Sequence, residues 1–426
     1  MSLLNEIKRL RVSDLRGLAQ LATQATAGVT RIAEGVHHAV LDTIGLRGSK
    51  VPGRTRGLTG LVYRSVHGVT QVTGKSIDLL LAGLQHGAGS VANSTPHSLE
   101  REAALAVLNG VIGDRLAAGK NVFAIPMSLR YQGEALNWRA LPSVPAEPGK
   151  LLILVHGLCM NDLQRHAAQK NHAVEQGAAL AAALGYTPVY LRYNSGLHIS
   201  LNGRELSAQL EQLLTHWPAP IAEITIVAHS MGGLLARSAC HYARQDALHW
   251  PDCLKSIVFL GTPHHGAPLE RAGNWVDVLL GSTSWTRPFA ALGKLRSAGI
   301  TDLRHGYVLD EDWQGKDRFH GKTDQHQPVP LPEGVACYTV AATRTARRSA
   351  VADRLLGDGL VPLHSALGYH DEARRKLAFG QAAQWIAYRT SHLELLSSPA
   401  VTRQMVQWLA PQQLKNNPGE QMYDAP

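Results

Sequence analysis

Between residues 151 and 342 short, continuous apolar runs alternate with stretches of helical periodicity. The runs are 151–155 (LLILV), 187–193 (TPVYLRY), 224–229 (ITIVAH), 256–260 (SIVFL) and 335–342 (VACYTVAA). Helical segments lie between them at roughly 167–184, 199–216 and 231–245. Apolar runs without alternation belong to strands buried on both faces. Strands separated by helices pair in parallel, because a parallel return needs a crossover. The pattern predicts an α/β fold: a mostly parallel sheet with helices on both faces. Residues 122–139 are expected to add an antiparallel edge.

Three regions break the alternation. Residues 1–121 read as a helical N-terminal extension, with apolar residues at three- and four-residue spacing: Leu15, Leu18, Leu21, then Val29, Ile32, Val36, Val40. Arg31, Gly35 and Val36 match Arg64, Gly68 and Val69 at an offset of 33, but two segments are too few for a solenoid. Residues 141–149 (LPSVPAEPG) form a proline-rich loop near the start of a main domain spanning 122–426. Within it, about 266–334 is too long for a plain connection and is expected to form a cap or lid. That stretch holds Trp275, Trp285, Phe289, Trp313 and Phe319.

Ordinary apolar content, 45%, and a net charge of only +9 exclude disorder as the main state. Four cysteines (Cys159, Cys240, Cys253, Cys337) with no CxxC pair do not make a disulfide scaffold and read as reduced thiols. No run approaches the roughly 18 apolar residues that span a bilayer. The opening segment carries charges at Glu6, Lys8, Arg9, Arg11, Asp14 and Arg16 and has no apolar core of the secretory type. A cytoplasmic location is therefore expected, with peripheral membrane contact as a sharper possibility. Residues 1–120 carry 14 Lys/Arg against 8 Asp/Glu, so most of the basic excess sits there. The plainer expectation is that this extension packs on the main domain; the sharper is a basic amphipathic surface that docks on lipid. No nucleic-acid partner is expected, and the sequence does not fix the oligomeric state.

The chemistry starts at 224–236, I-T-I-V-A-H-S-M-G-G-L-L-A. A strand runs through His229-Ser230-Met231-Gly232-Gly233 straight into a helix. Such a turn is so tight that its flanking residues must be small, here Ala228 and Gly232. It lifts the Ser230 oxygen to the head of a helix, where N–H groups favour developing negative charge. An ordinary βα turn is the alternative; the apolar strand before it and Gly-Gly after it argue for the nucleophile. Alanine at the first small position leaves less room than glycine would. An earlier strand ends in Val155-His156-Gly157-Leu158, a second turn that aims N–H groups at the nucleophile. The oxyanion donors assigned are the N–H groups of Leu158 and Met231.

Serine needs a base, and the base needs a carboxylate. Asp358 lies between Gly357 and Gly359 in a loop past the strand at 335–342, and Asp353 is its competitor. His392 precedes the last helix and completes the chain order Ser230…Asp358…His392. His364 and His370 are its rivals; His364 is only six residues from Asp358, too near for two convergent loops.

The segments VHGL, VAHSMGG, GDGLVPLHSA and SHLELL, in this order and spacing, resemble the α/β-hydrolase superfamily, most of all bacterial lipases and carboxylesterases. The resemblance covers roughly 122–426. It implies an eight-stranded, mostly parallel sheet, an acyl-enzyme mechanism and no cofactor. Gly261-Thr262-Pro263-His264-His265-Gly266 looks like the active-site rim of such esterases, with His264 and His265 as pocket walls. Trp275 and Trp285 are expected to bind the acyl or alcohol part of a lipid or small-molecule ester. The same triad could serve an acyltransferase, thioesterase or amidase, or survive inactive in a membrane-associated scaffold protein. His320, Asp324 and His326 are close in sequence, but histidine is abundant, and no metal site is expected.

Overall fold

The computed structural model describes residues 57–87, 99–141, 149–163, 174–267, 296–316, 326–346 and 357–410, with scattered helical positions between 16 and 34. Eight strands make one sheet: β1 (Ser128–Tyr131), β2 (Glu134–Ala135), β3 (Gly149–Val155), β4 (Thr187–Arg192), β5 (Ile221–His229), β6 (Leu254–Leu260), β7 (Ala336–Thr343) and β8 (Gln384–Tyr388). Their order is β2-β1-β4-β3-β5-β6-β7-β8. β1 runs antiparallel to β2 and β4, and every other pairing is parallel. The antiparallel edge arises where the sequence places it. Gln132 and Gly133, both at positive φ (51° and 85°), close a two-residue hairpin whose twist suits the flanking strands.

The helices of eight or more described residues are α1 (Gly57–Gly87), α2 (Leu99–Ala118), α3 (Gln176–Leu184), α4 (Ile199–His216), α5 (Met231–Gln245), α6 (Ala298–His305) and α7 (Pro399–Leu409). Residue alternation sorts each strand between two cores. Leu151, Ile153 and Val155 of β3 face the same side as Ile224, Ile226 and Ala228 of β5, and there meet Leu206, Leu210 and Leu213 of α4 and Leu235, Ala236 and Ala239 of α5. Leu152, Leu154 and Val227 face the other side, against Leu180 of α3 and Val401, Met405 and Trp408 of α7. Each large apolar side chain taken fully out of water stabilises the fold by about 1.5–3 kcal/mol. α3 starts on the Glu175 carboxylate, which accepts from the Gly177 and Ala178 N–H groups, and ends at Gly185 (φ 72°). α7 has Ser398 as its cap and Pro399 in its first turn.

The chain divides into two compact units. The described residues up to 87 group with Arg115–Ala124; residues 99–114 group with Ile125 onward. In the first unit Arg16 and Gln20 both donate to Asp78, at 2.6 Å each, and Asn121 Nδ2 donates to the Gly17 carbonyl. The sequence reading ends the helical extension at 121, whereas the structure divides α2 itself. The reason lies on one face of that helix. A Cβ on Gly110 would fall 2.2 Å from Cys159 Sγ, and one on Gly113 1.9 Å from Asn194 Oδ1. The glycines let α2 lie directly on the loops after β3 and β4, and Ile112 between them leaves helical geometry (φ −134°, ψ 19°). Glu102 pairs with Arg192 of β4, and the Asn109 side chain accepts from the Ile125 N–H.

This contact has a measurable consequence. Gly110→Ala should cost about 1–3 kcal/mol of unfolding free energy in denaturant titration, the usual penalty of overpacking. In a Cys159→Ala background the same change should cost clearly less. Equal costs in both backgrounds would show that the two residues do not press on each other.

Candidate active site

The turn after β5 is strained as the sequence demands. Ser230 has φ 55° and ψ −125°, a region that non-glycine residues rarely enter. Its N–H donates to the Leu260 carbonyl at 2.8 Å, which pins the turn to β6. Two glycines make room. A Cβ on Gly232 would lie 2.7 Å from the His156 carbonyl oxygen, and one on Gly157 would lie 3.0 Å from Ser230 Cβ. The loops after β3 and β5 therefore touch backbone to backbone. Ser230 is buried, and its Oγ has no hydrogen-bond partner among the described residues.

The loop after β3 is held on both sides of Leu158. The Tyr193 hydroxyl donates to the His156 carbonyl at 2.9 Å, and its ring stacks on His156 at 4.3 Å. The Cys159 N–H donates to Ser195 Oγ at 3.0 Å, with Cys159 at φ 58°. Among the hydrogen bonds of the described residues none engages the N–H of Leu158 or Met231. Burial pushes the Cys159 thiol up to about 12, so it stays protonated and unreactive.

Past β7 and β8 the loops bring Asp358 and His392 together. His392 Nδ1 lies 2.6 Å from Asp358 Oδ2, and both side chains are buried. The other oxygen, Oδ1, accepts from the N–H groups of Leu360 and Val361 at 2.9 and 2.8 Å. Gly357 (φ 45°) and Gly359 (φ 99°) make that turn possible. His392 also stands beside the turn after β5. Its ring centroid is 4.6 Å from that of His229, its carbonyl is 3.1 Å from His229 Nε2, and a Cβ on Gly261 would lie 3.1 Å from its Nδ1. Gly261 follows Leu260, the residue that anchors Ser230. Asp353 lies outside the described residues, so the Asp358–His392 contact is what separates the two aspartates.

Residues 148–337 match the family model of the PGAP1-like alpha/beta domain. That match, the sheet order and the strained turn after β5 fix the fold. The chain is an α/β-hydrolase-fold protein. Among solved structures, a mature Bacillus licheniformis lipase is 19% identical and aligns over 64% of this chain and 93% of its own, at a TM-score of 0.37. A Pyrococcus furiosus esterase is 12% identical over 63% and 82% of the two chains, at 0.34. A Pyrobaculum calidifontis esterase is 13% identical over 62% and 76%, at 0.37. A sequence search among curated proteins finds no match. The matched span holds Leu158, Ser230 and Met231 and ends before Asp358 and His392, so the pairing of the last two rests on their geometry.

Other positions turn out differently from the sequence expectation, or add to it. His264 occupies an interior position, 1% exposed, with its ring against Phe259 and Phe379 at 4.9 and 5.4 Å. Its carbonyl accepts from buried Arg237, which also donates to the Val329 carbonyl. His265 is half-buried near His370, and its N–H donates to Ser365 Oγ. Trp275 and Trp285 lie outside the described residues, as do His320 and Asp324 and most of the expected cap. Within 266–334, α6 packs against the turn after β5: a Cβ on Gly299 would lie 2.9 Å from Met231 Cε. Trp313 stacks on His198 at 3.6 Å and donates to Ser200 Oγ, so its face is already occupied. Sequence reasoning missed Tyr193 and Ser195; their signal was the Tyr-Asn-Ser-Gly turn at the end of β4.

Burial holds His264 well below the ordinary imidazole range and pushes His265 down to about 3. In the unfolded chain both take up a proton near 6.5. Between those values the unfolded state binds more protons than the folded one, so stability is full above about 6.5 and falls as the pH drops towards 3. His264→Leu and His265→Gln should each flatten the fall in melting temperature between pH 7 and 4. A wild-type slope in both variants would show that neither imidazole is kept neutral.

Proposed function

We propose that this protein is a serine hydrolase that cleaves carboxylic esters through an acyl-enzyme, with residues 122–426 as the catalytic part. The observation that carries the reading is a buried, unpartnered serine hydroxyl on a strained turn, beside a histidine fixed by a buried carboxylate. Ser230 Oγ attacks the ester carbonyl while His392 Nε2 takes its proton. Asp358 accepts from Nδ1–H, which leaves Nε2 as the basic nitrogen and stabilises the cation that forms. The N–H groups of Leu158 and Met231 receive the oxyanion. Collapse expels the alcohol, which takes the proton back from His392. Water activated by the same histidine then releases the acid and restores Ser230. Apo hydrogen bonds between nucleophile and base are often long and tighten on substrate, which accords with an unpartnered Oγ.

The substrate class favoured is an acyl or lipid ester. Leu158, Met231 and Leu260 lie in the loops at and beside Ser230, Leu395 approaches Gly261 beside the His392 ring, and all four are buried apolar residues. Such a wall accepts a hydrocarbon chain at little desolvation cost.

A chain-length series of p-nitrophenyl esters tests the reading. Ser230→Ala should lose on the order of 10⁶ in turnover and all labelling by a fluorophosphonate. Asp358→Asn should lose about 10⁴ through the wrong histidine tautomer. His392→Ala combined with Ser230→Ala should add little to the single loss. Ser230→Ala activity within tenfold of wild type, or an unlabelled wild type, would overturn the assignment.

A further inference from the structure

α1 is amphipathic the wrong way round for a helix of a water-soluble protein. Its inward side carries Tyr63, His67, Thr70 and Asp78, all half-buried, and Asp78 is held by Arg16 and Gln20. Its outward side carries Leu61, Val62, Val66, Val69, Val72, Ile77 and Leu79. Val69 and Val72 are each 66% exposed and Leu79 is 72% exposed. At 3.6 residues per turn these seven fall within an arc of about 160°. Exposed Ser65, Thr73 and Ser76 lie within the same arc, and exposed Gly68 and Gln71 lie outside it. The charged side chains exposed on that stretch, Arg64 and Lys75, are both cations, and both lie about 50° beyond one edge of the arc.

The geometry points to one occupant: we propose that the outward face of α1 lies on the surface of a bilayer containing anionic lipid. A coiled-coil partner is met by a narrow seam of two positions per heptad, and a protein interface is usually anchored by aromatic side chains or arginine at its centre. This face is broad, built mainly of valine, leucine and isoleucine with Ser65, Thr73 and Ser76 among them, and free of exposed aromatics. A broad apolar face flanked by cations is what an interfacial helix needs: the hydrocarbon enters the acyl boundary while lysine and arginine reach the headgroups. Among the described residues no helix is long and apolar enough to cross a membrane, so the proposed contact is along the surface. The proposal is independent of the triad, since binding is read without any turnover.

The test uses the full chain and sucrose-loaded vesicles of phosphatidylglycerol and phosphatidylcholine in equal parts. The wild type should pellet with them at low salt, at least about tenfold more tightly than with phosphatidylcholine alone, and should be released as salt rises. Val66→Ser, Val69→Ser and Val72→Ser together should weaken pelleting by more than about tenfold, through lost apolar burial. Arg64→Gln and Lys75→Gln should each weaken it about fivefold. The circular dichroism spectrum of the triple variant reports whether it folds. Should it not fold, amide exchange on the wild type decides: added protection across 61–79 with vesicles supports the proposal, and unchanged exchange overturns it. A wild type that ignores the anionic vesicles, or a folded triple variant that pellets equally well, also overturns it. So does a wild type that is dimeric by light scattering and turns monomeric on the triple substitution without any vesicle binding, which would assign the face to a second copy.

Discussion

A methyl group at Gly232 would strike the carbonyl of His156, and one at Gly157 would strike the Cβ of Ser230. The whole site depends on these two close approaches. They let the ends of β3 and β5 come within backbone contact beside Ser230. The strain at Ser230 is held by the structure around it: its N–H is tied to β6, and α5 begins at the next residue. Neither loop could be displaced without moving the sheet to which it is attached.

The support behind the first loop is unusually direct. Tyr193 and Ser195 come from a single turn after β4 and hold the peptides before and after Leu158. Behind them α2 lies on that turn through Gly113 and on the β3 loop through Gly110. Donors fixed before substrate arrives need no reorganisation during reaction, and this is the main way a protein stabilises an oxyanion. The part of the N-terminal segment that packs with the sheet therefore bears on how rigidly the site is held.

The five parallel strand runs, the helices α4 and α5 and the antiparallel edge were legible in the sequence because each owes its form to local periodicity, whereas the helix expected at 167–184 begins at Gln176, with Val174 and Glu175 outside it. α4 and α5 begin and end where the pattern places them. The serine turn was legible for the same reason, since its constraints are all within six residues. The division of α2 was not legible. It rests on contacts of Gly110 and Gly113 with residues dozens of positions away, and a glycine in a helix gives no sign of what will approach it. The packing of His264 was not legible either. Its neighbours in sequence look like an active-site rim, yet a β6 phenylalanine and Phe379 draw its ring inward. The outward face of α1 was visible only as spacing; which side faced solvent needed the Arg16–Asp78 pair to fix the helix rotation.

β8 closes the sheet at its far edge and is bonded on one side alone, to β7. The histidine loop leaves directly from its end, steadied by the bonds from Arg389 to Thr345 and from Thr390 to Thr343. Edge strands open locally at a lower free energy than the centre of a sheet. On heating, β8 can therefore peel from β7 while β3, β5 and β6 stay paired, and His392 leaves with it. The contact between Asp358 and His392 would then be lost before the fold is, reversibly, over a window below the melting transition set by five residues at the margin of the sheet.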